Sequence, residues 1–286
     1  MTSQDEIRLL QRIAQGIEQL GPKPAPELDI KGADAYVWNA AERMLHPVTE
    51  TQALPLDLLL GIDDARNRLL ANTLQFAQGY SANNALLWGA RGTGKSSLIK
   101  ALHAHVNRQV QQKLVLIEVH REDIATLPHL IHALRGWVIR RFIIFCDDLS
   151  FDGDDTSYKS LKSVLEGGIE QRPDHILLYA TSNRRHLMPR EMAENEAAVA
   201  IHGKDTQEEK LSLSDRFGLW VGFHNCDEAT YIDIVKNYAR HYKLNVPEDE
   251  LAEKASLWSR ERGARSGRVA WQFIQDLAGK MKKRVA

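Results

Sequence analysis

Residues 85–97 read ALLWGARGTGKSS and contain the most informative pattern in the chain. An apolar run of strand length leads into a glycine-rich turn, and SLIKALHAHV (97–106) follows the turn with a helical pattern. Residues 89–96 match G-x-x-x-x-G-K-(S/T) in the strand–turn–helix context that this pattern requires. The sequence therefore predicts a phosphate-binding loop, called the P-loop below.

The residue types of the P-loop fit a bound polyphosphate with magnesium. Its glycines allow successive backbone N–H groups to curl around a phosphate at a helix N-terminus. Lys95 can reach the outer phosphate oxygens, and the Ser96 hydroxyl can bind Mg²⁺. The predicted binding residues are Gly89, Ala90, Arg91, Gly92, Thr93, Gly94, Lys95, Ser96 and Ser97.

Short apolar runs alternate with helix-length segments between residues 62 and 226. Near-continuous apolar strands separated by helices are typical of a parallel sheet that is covered on both faces. A helix is predicted at 62–78 from its apolar periodicity. We therefore expect an α/β domain with a five-stranded parallel sheet flanked by helices. The predicted strands are 85–89, 114–119, 141–147, 175–181 and 219–225.

Helical patterns dominate on both sides of this region. A capping box at Ser3 and Glu6 predicts a helix at 4–20, which the Pro-rich residues 21–29 end. This helix fits either a packing appendage or a docking site for a partner. The expected domains are a helical N-terminal prefix with a linker at 1–50, a nucleotide-binding α/β domain at 51–226 and a C-terminal helical lid at 227–286, with helices near 227–243, 247–261 and 267–283.

The composition is that of an ordinary globular protein. Of 286 residues, 43% are hydrophobic and 26% charged, and no apolar stretch is long enough to cross a membrane. The first residues lack the pattern of a secretory signal, and the two cysteines, Cys146 and Cys226, fit a reducing compartment. We expect a cytoplasmic protein without a membrane partner. The net charge of -1 leaves a nucleic-acid partner undecided.

Polar residues follow two of the predicted strands, and Arg216 precedes the last one. Asp147 and Asp148 come directly after FIIFC, at the strand end where open α/β sheets place ligands. Asp147 would hold magnesium, and Asp148 would polarise an attacking water. Asn183 could orient that water, and Arg216 could contact the phosphate of a neighbouring subunit. Taken singly, these residues also fit turns, strand-end caps or a surface ion pair.

The ordered set of motifs resembles the AAA+ superfamily of P-loop ATPases over about residues 55–283. More closely, the chain is similar to a bacterial group of predicted AAA+ ATPases known only as a domain of unknown function, through LLWGARGTGKSSL, ATSNRRHLMP and SLSDRFGLW. That group implies no biological role. The superfamily motifs are GARGTGKSS (89–97), FIIFCDD (142–148), YATSNRRHL (179–187), LSDRFG (213–218) and ARSGRVAWQFI (264–274).

The resemblance implies an ATPase that uses ATP and Mg²⁺ and hydrolyses ATP to ADP and phosphate. It also implies a homo-oligomer, because an arginine finger acts on the neighbouring subunit, and an unidentified protein partner that the oligomer remodels or loads. The implied roles are Walker A for Lys95 and Ser96, Walker B for Asp147 and Asp148, sensor 1 for Asn183, arginine finger for Arg216, sensor 2 for Arg268 and adenine contact for Leu59, Gly61 and Ile62.

One residue departs from the commonest superfamily pattern. Asp148 stands where many AAA+ hydrolases have glutamate, and its carboxylate is one methylene shorter, so we expect slow hydrolysis. Two alternatives stay open, the first from this departure and the second from analogy and the basic clusters. The first is a switch or scaffold that binds ATP and hydrolyses little of it. The second is a nucleic-acid-associated loader or initiator-like ATPase.

Three further groups of polar side chains have ordinary interpretations. The eleven histidines include no H-E-x-x-H and no Cys-His cluster, so a zinc site is not predicted. The acids of DGDDTS, at 152–157, are expected in an exposed loop and helix cap. Two basic groups fit a solvated face and a helix C-terminus, or alternatively nucleic-acid phosphates. These are Arg184, Arg185 and Arg190, and Lys280, Lys282, Lys283 and Arg284.

Overall fold

A computed structural model describes residues 28–30, 32–151, 157–167, 172–185, 187 and 213–285. The strands are β1 (Ala35–Asn39), β2 (Met44–Pro47), β3 (Ala85–Gly89), β4 (Leu114–Val119), β5 (Arg141–Cys146), β6 (Ile176–Ser182) and β7 (Leu219–Phe223). The α-helices are α1 (Asp63–Ala77), α2 (Lys95–Asn107), α3 (Leu127–Leu134), α4 (Tyr158–Glu166), α5 (Glu228–His241), α6 (Glu248–Arg262) and α7 (Gly267–Lys280).

All these strands form one sheet, in the order β2-β1-β4-β5-β6-β3-β7. Every neighbouring pair is parallel except β1 and β2, which form an antiparallel hairpin. The carboxyl ends of β3, β5 and β6 therefore lie at one edge of the sheet. This places the P-loop next to the residues that follow β5 and β6.

The sheet has seven strands, and the prediction of five was wrong by the hairpin β1–β2. The hairpin comes from residues that the sequence assigned to a helical prefix. Tyr36 and Trp38 are 1% and 2% exposed and pack in the core, because β1 pairs with β4 and becomes an inner strand. Residues 4–20, where a helix was predicted, lie outside the described part of the chain.

Helices cover the sheet on both faces. Alternate side chains of β5 point to opposite sides: Phe142 and Ile144 join one apolar cluster, and Ile143 and Phe145 join another. Helices α3 and α4 pack on the first side, and α1 and α2 pack on the second. This three-layer arrangement explains why the strands are apolar without the alternation of a half-exposed sheet.

The last three helices form a bundle with a separate apolar cluster. The side chains of Asp227 and Ser266 cap α5 and α7 by accepting backbone N–H groups at 2.8 and 3.3 Å. Leu58, in a short 3-10 helix before α1, packs into the bundle. The bundle therefore lies against the segment that leads into the α/β part. Among the described residues, no helix is long and apolar enough to span a membrane.

Candidate functional site

The backbone of the P-loop requires glycine where the chain passes close to its neighbours. Gly94 has φ +95 and caps the start of α2, and Gly89 has φ +141 at the end of β3. A Cβ atom on Gly89 would lie 2.0 Å from the carbonyl oxygen of Phe223 in β7. The loop is thus held against β7, with the first turn of α2 facing the carboxyl edge of the sheet.

Lys95 is buried in the P-loop, with 7% of its surface exposed. Its ammonium donates to the carbonyl oxygens of Gly89 and Ala90, both at 2.7 Å, and to Asn183 Oδ1 at 3.2 Å. Burial lowers the pKa of Lys95, while the nearby Asp148 and Asp147 raise it. The two carboxylates therefore offset part of the cost of burying this cation.

Asp147 lies within hydrogen-bond reach of two hydroxyl groups. Ser96 Oγ donates to Asp147 Oδ1 at 2.6 Å, and Thr181 Oγ1 donates to the same oxygen. The backbone N–H of Asp148 donates to Thr181 Oγ1 at 2.9 Å. The structure thus joins the first residues of α2 to the end of β5. Thr181 is a member of this group that the sequence did not single out.

Asn183 connects the remaining predicted groups. Its side-chain carbonyl accepts from Lys95, and its amide nitrogen donates to Asp148 Oδ1. Asp148 has φ +51, a left-handed conformation that turns the chain sharply after β5. Its carboxylate is 58% exposed and lies 4.0 Å from the guanidinium of Arg91. Asp148 is therefore open to solvent from the cavity side.

A cavity of about 1170 Å³ lies between the P-loop, residues 50–62 and the helical bundle. The structure brings most of the predicted site residues to its wall: Leu59, Gly61, Ile62, Arg91, Gly92, Thr93, Gly94, Lys95, Ser96, Ser97, Asp147, Asp148, Asn183 and Arg268. Ile234, Tyr238 and Trp271 also line it, and apolar helical spacing is the sole sequence feature that marks them.

The bundle touches the P-loop directly. The backbone N–H of Arg268, at the start of α7, donates to the carbonyl oxygen of Gly92 at 3.2 Å. A Cβ on Gly92 would lie 3.0 Å from both Ser266 Oγ and Arg268 Cβ. The start of α7 therefore forms one wall of the cavity, and Arg268 is among the residues that line it.

Arg216 is the predicted site residue that the structure places elsewhere. It precedes β7, at the amino edge of the sheet, whereas the cavity lies at the carboxyl edge. Its guanidinium forms an ion pair with Glu166, at the end of α4. Since β7 spans five residues, about 16 Å, Arg216 lies far from the P-loop of its own chain.

The other singled-out groups do not join the cavity. The Arg185 guanidinium lies over the Trp88 ring, 5.3 Å from its centroid. Arg190 and residues 152–156 lie outside the described part of the chain. The described residues hold no group of three or more His, Cys, Asp or Glu side chains that could bind a metal. A magnesium site here would thus use hydroxyl and phosphate oxygens beside Asp147.

Comparison with solved structures gives the same fold. An ORC1 protein from Aeropyrum pernix, solved in complex with DNA, has a TM-score of 0.56 at 16% identity, and the match covers 81% of this chain and 66% of that one. A RuvB variant from Thermotoga maritima has a TM-score of 0.51 at 18% identity, covering 81% of this chain and 68% of that one. At such identities the likeness shows the fold alone.

A family match gives the nearer relationship. Residues 31–281 match the family described as a protein of unknown function, DUF815. No curated protein matches the sequence. The P-loop, the parallel sheet and the structural matches all agree with the predicted kinship to an uncharacterised AAA+ group. Because the family match spans most of the chain, the protein belongs to the DUF815 family, and its fold is that of the AAA+ P-loop ATPases.

Proposed function

We propose that this protein binds Mg·ATP in the cavity between the P-loop and the helical bundle and hydrolyses it slowly. The observation that carries the proposal is the contact of Ser96 Oγ with Asp147 Oδ1, at 2.6 Å, beside the buried ammonium of Lys95. A hydroxyl and a carboxylate are the oxygen ligands that suit Mg²⁺. Magnesium would neutralise charge that develops on the phosphates.

The phosphate groups of ATP would replace contacts that the P-loop now makes with itself. The Lys95 ammonium donates to two P-loop carbonyls, and a phosphate oxygen is a stronger acceptor for a cation than a neutral carbonyl. Backbone N–H groups at the start of α2 would bind the same anion. We infer that Lys95 moves from the carbonyls to the outer phosphates when ATP binds.

Asp148 and Asn183 are proposed to position the attacking water. They share a hydrogen bond, and Asp148 faces the cavity with its carboxylate exposed. The carboxylate would accept a proton from the water while the Asn183 amide fixes its direction. The shorter side chain of aspartate supports slow turnover. The adenine ring is proposed to lie against Leu59 and Ile62.

Arg216 is proposed to act on ATP bound by a neighbouring copy. Its position at the amino edge of the sheet excludes contact with the cavity of its own chain. A head-to-tail contact, which repeats to form a ring, would bring this edge to the cavity of the next subunit. Hydrolysis would then depend on assembly. We also propose that the oligomer remodels or loads a protein partner.

Calorimetric titration with Mg·ATP tests the binding site. We expect Lys95→Ala to lose measurable binding, because the variant removes the cation that faces the phosphates. Lys100→Ala is the matched control, since Lys100 lies on the same helix and pairs with Glu118 at 3.4 Å. Equal ATP affinity of the Lys95 variant and the wild type would contradict the proposal.

A switch or scaffold that retains ATP is the second candidate, and the short side chain of Asp148, at the position proposed to polarise the water, favours it. Steady-state phosphate release distinguishes the two functions. An ATPase should release phosphate repeatedly, and Asp147→Asn should stop the release because it removes a magnesium ligand. A switch should bind ATP with release no faster than that of the Asp147 variant.

A further inference from the structure

Helices α5 and α7 end side by side at one end of the bundle. The Lys283 ammonium, just after α7, donates to the carbonyl oxygen of Lys243, just after α5, at 2.5 Å. The two helices also share the apolar cluster of the bundle. Two segments that are distant in the sequence therefore form one surface.

This surface carries exposed cations with few compensating acids. In 240–247 and 276–285 the sole carboxylate is Asp276, which pairs with Lys280 at 2.6 Å. The next acid, Glu248, pairs with Lys236 at 2.8 Å. Positive charge therefore exceeds negative charge. The six cations, which we call the basic end of the bundle, are Arg240, Lys243, Lys280, Lys282, Lys283 and Arg284.

Helix capping accounts for only part of this charge. Cations near a helix C-terminus are favourable, and Lys283 also binds a terminal carbonyl. However, Lys243 and Lys282 have φ +53 and +57, in positions after a helix end where glycine is favoured. Lysine there adds charge at a conformational cost. A ligand of opposite charge explains these two residues better than helix stability does.

The chemistry of the basic end favours an extended polyanion. All six cations are exposed, so they do not enclose a small ligand. Among the described residues, the large exposed apolar side chains are Met44, Tyr80, Val138, Ile139 and Leu257, and none belongs to the basic end. A membrane-inserting surface would need such residues. The six cations are the dominant exposed groups, and they fit a phosphate backbone that is bound without reading of the bases.

We propose that the basic end of the bundle binds nucleic acid through its phosphate backbone. This activity goes beyond the proposed ATPase, because none of the six cations lines the nucleotide cavity. His241, Tyr242 and Val285 lie beside them and do line the cavity. The bound polymer would thus adjoin the proposed ATP site, on the surface of the lid.

Fluorescence anisotropy with a labelled DNA duplex of random sequence tests the proposal, with a single-stranded RNA of equal length beside it. Binding should weaken on the order of 10²–10³-fold from about 50 to about 200 mM salt, if about five phosphates are contacted. The affinity should be the same for unrelated sequences, because the contacts are to the backbone.

A charge-reversed variant identifies the surface. Lys243→Glu/Lys282→Glu/Arg284→Glu keeps the Lys283 cap and should weaken binding at least about tenfold at low salt and flatten the salt dependence by about three contacts. The matched control, Lys159→Glu/Lys254→Glu/Arg260→Glu, changes the net charge equally at exposed positions elsewhere. The control should lose much less affinity. Circular dichroism checks that both variants fold.

Two results would overturn the proposal. One is the absence of DNA and RNA binding by the wild type at about 50 mM salt, and the other is an equal loss in both triple variants. Sedimentation with phosphatidylserine vesicles that depends on the basic end, without nucleic-acid binding, would assign the surface to a membrane. Lys95→Ala should bind DNA normally in the absence of nucleotide, so failure of the ATP site and failure of this surface are distinguishable.

Discussion

At the scale of single residues, Gly89 shows how closely the P-loop is packed. The Cβ of an alanine would lie 2.0 Å from the backbone of Phe223, which cannot rotate away as a side chain can. We expect Gly89→Ala to lower the free energy of unfolding by about 2–4 kcal/mol, from overpacking and a strained positive φ. Urea denaturation measures this loss.

Gly136→Ala is the control, because its Cβ would have no atom within 4 Å. This substitution should change the free energy of unfolding by less than about 0.5 kcal/mol. If the two variants are equally stable, the close approach of β3 and β7 is not as described.

We expect the folded protein to lose stability at alkaline pH because the phenol of Tyr179 is buried. Burial raises its pKa from 10.0 to about 12, and its hydroxyl lies 2.9 Å from that of Thr73. Below pH 10 the phenol is neutral in both states. Between about pH 10 and 12 only the unfolded chain loses the proton, so about 2–3 kcal/mol of stability is lost. Tyr179→Phe should reduce this loss, which urea denaturation at a series of pH values measures.

Most site residues could be predicted because each directly follows a predicted parallel strand. Asp147 and Asn183 are polar residues after apolar runs, and parallel strands bring such positions to one edge. Thr181 was missed because a buried threonine is ordinary inside a strand. Its hydrogen bond to Asp147 forms because β5 and β6 are neighbours in the sheet, and the sequence alone does not show which strands are neighbours.

At the scale of elements, two matched helix caps separate stability from ligand binding. Ser266 caps α7 and lies at the cavity wall, whereas Asp227 caps α5 and does not line that cavity. Ser266→Ala should cost about 1 kcal/mol of unfolding free energy, and Asp227→Ala should also lower stability through the loss of its cap. Only the Ser266 variant should also weaken ATP binding by calorimetry, because α7 then holds the P-loop less firmly. Equal ATP affinities in the two variants would refute this role of α7.

The hairpin β1–β2 could not be predicted from the sequence patterns alone. AYVWN at 35–39 has the aromatic and β-branched residues of a strand, but it lies near a Pro-rich segment and before the alternation of apolar runs and helical segments begins. Its burial comes from pairing with β4, more than seventy residues later in the chain. From 62 onward apolar runs alternate with helix-length segments, and the predicted positions of these strands and helices agree with the structure.

At the scale of the whole molecule, a mixing experiment tests the proposed contact between subunits. Arg216→Ala would keep an intact cavity, and Lys95→Ala would keep an intact Arg216. Each variant alone should be nearly inactive in phosphate release. In an equal mixture, about a quarter of the head-to-tail interfaces would combine one good cavity with one good arginine, so activity should return to about that fraction. A mixture as inactive as its parts would mean that Arg216 does not act on a neighbour.

The contact between Gly89 and β7 connects the P-loop to the strand that begins after Arg216. β7 has five residues, with Arg216 before one end and Phe223 at the other, and Phe223 is in register with Gly89. If a neighbouring subunit displaced Arg216 from Glu166, β7 would move along its own axis. The P-loop would shift with the strand. Assembly of subunits would then change the nucleotide site, although Arg216 does not contact the P-loop of its own chain.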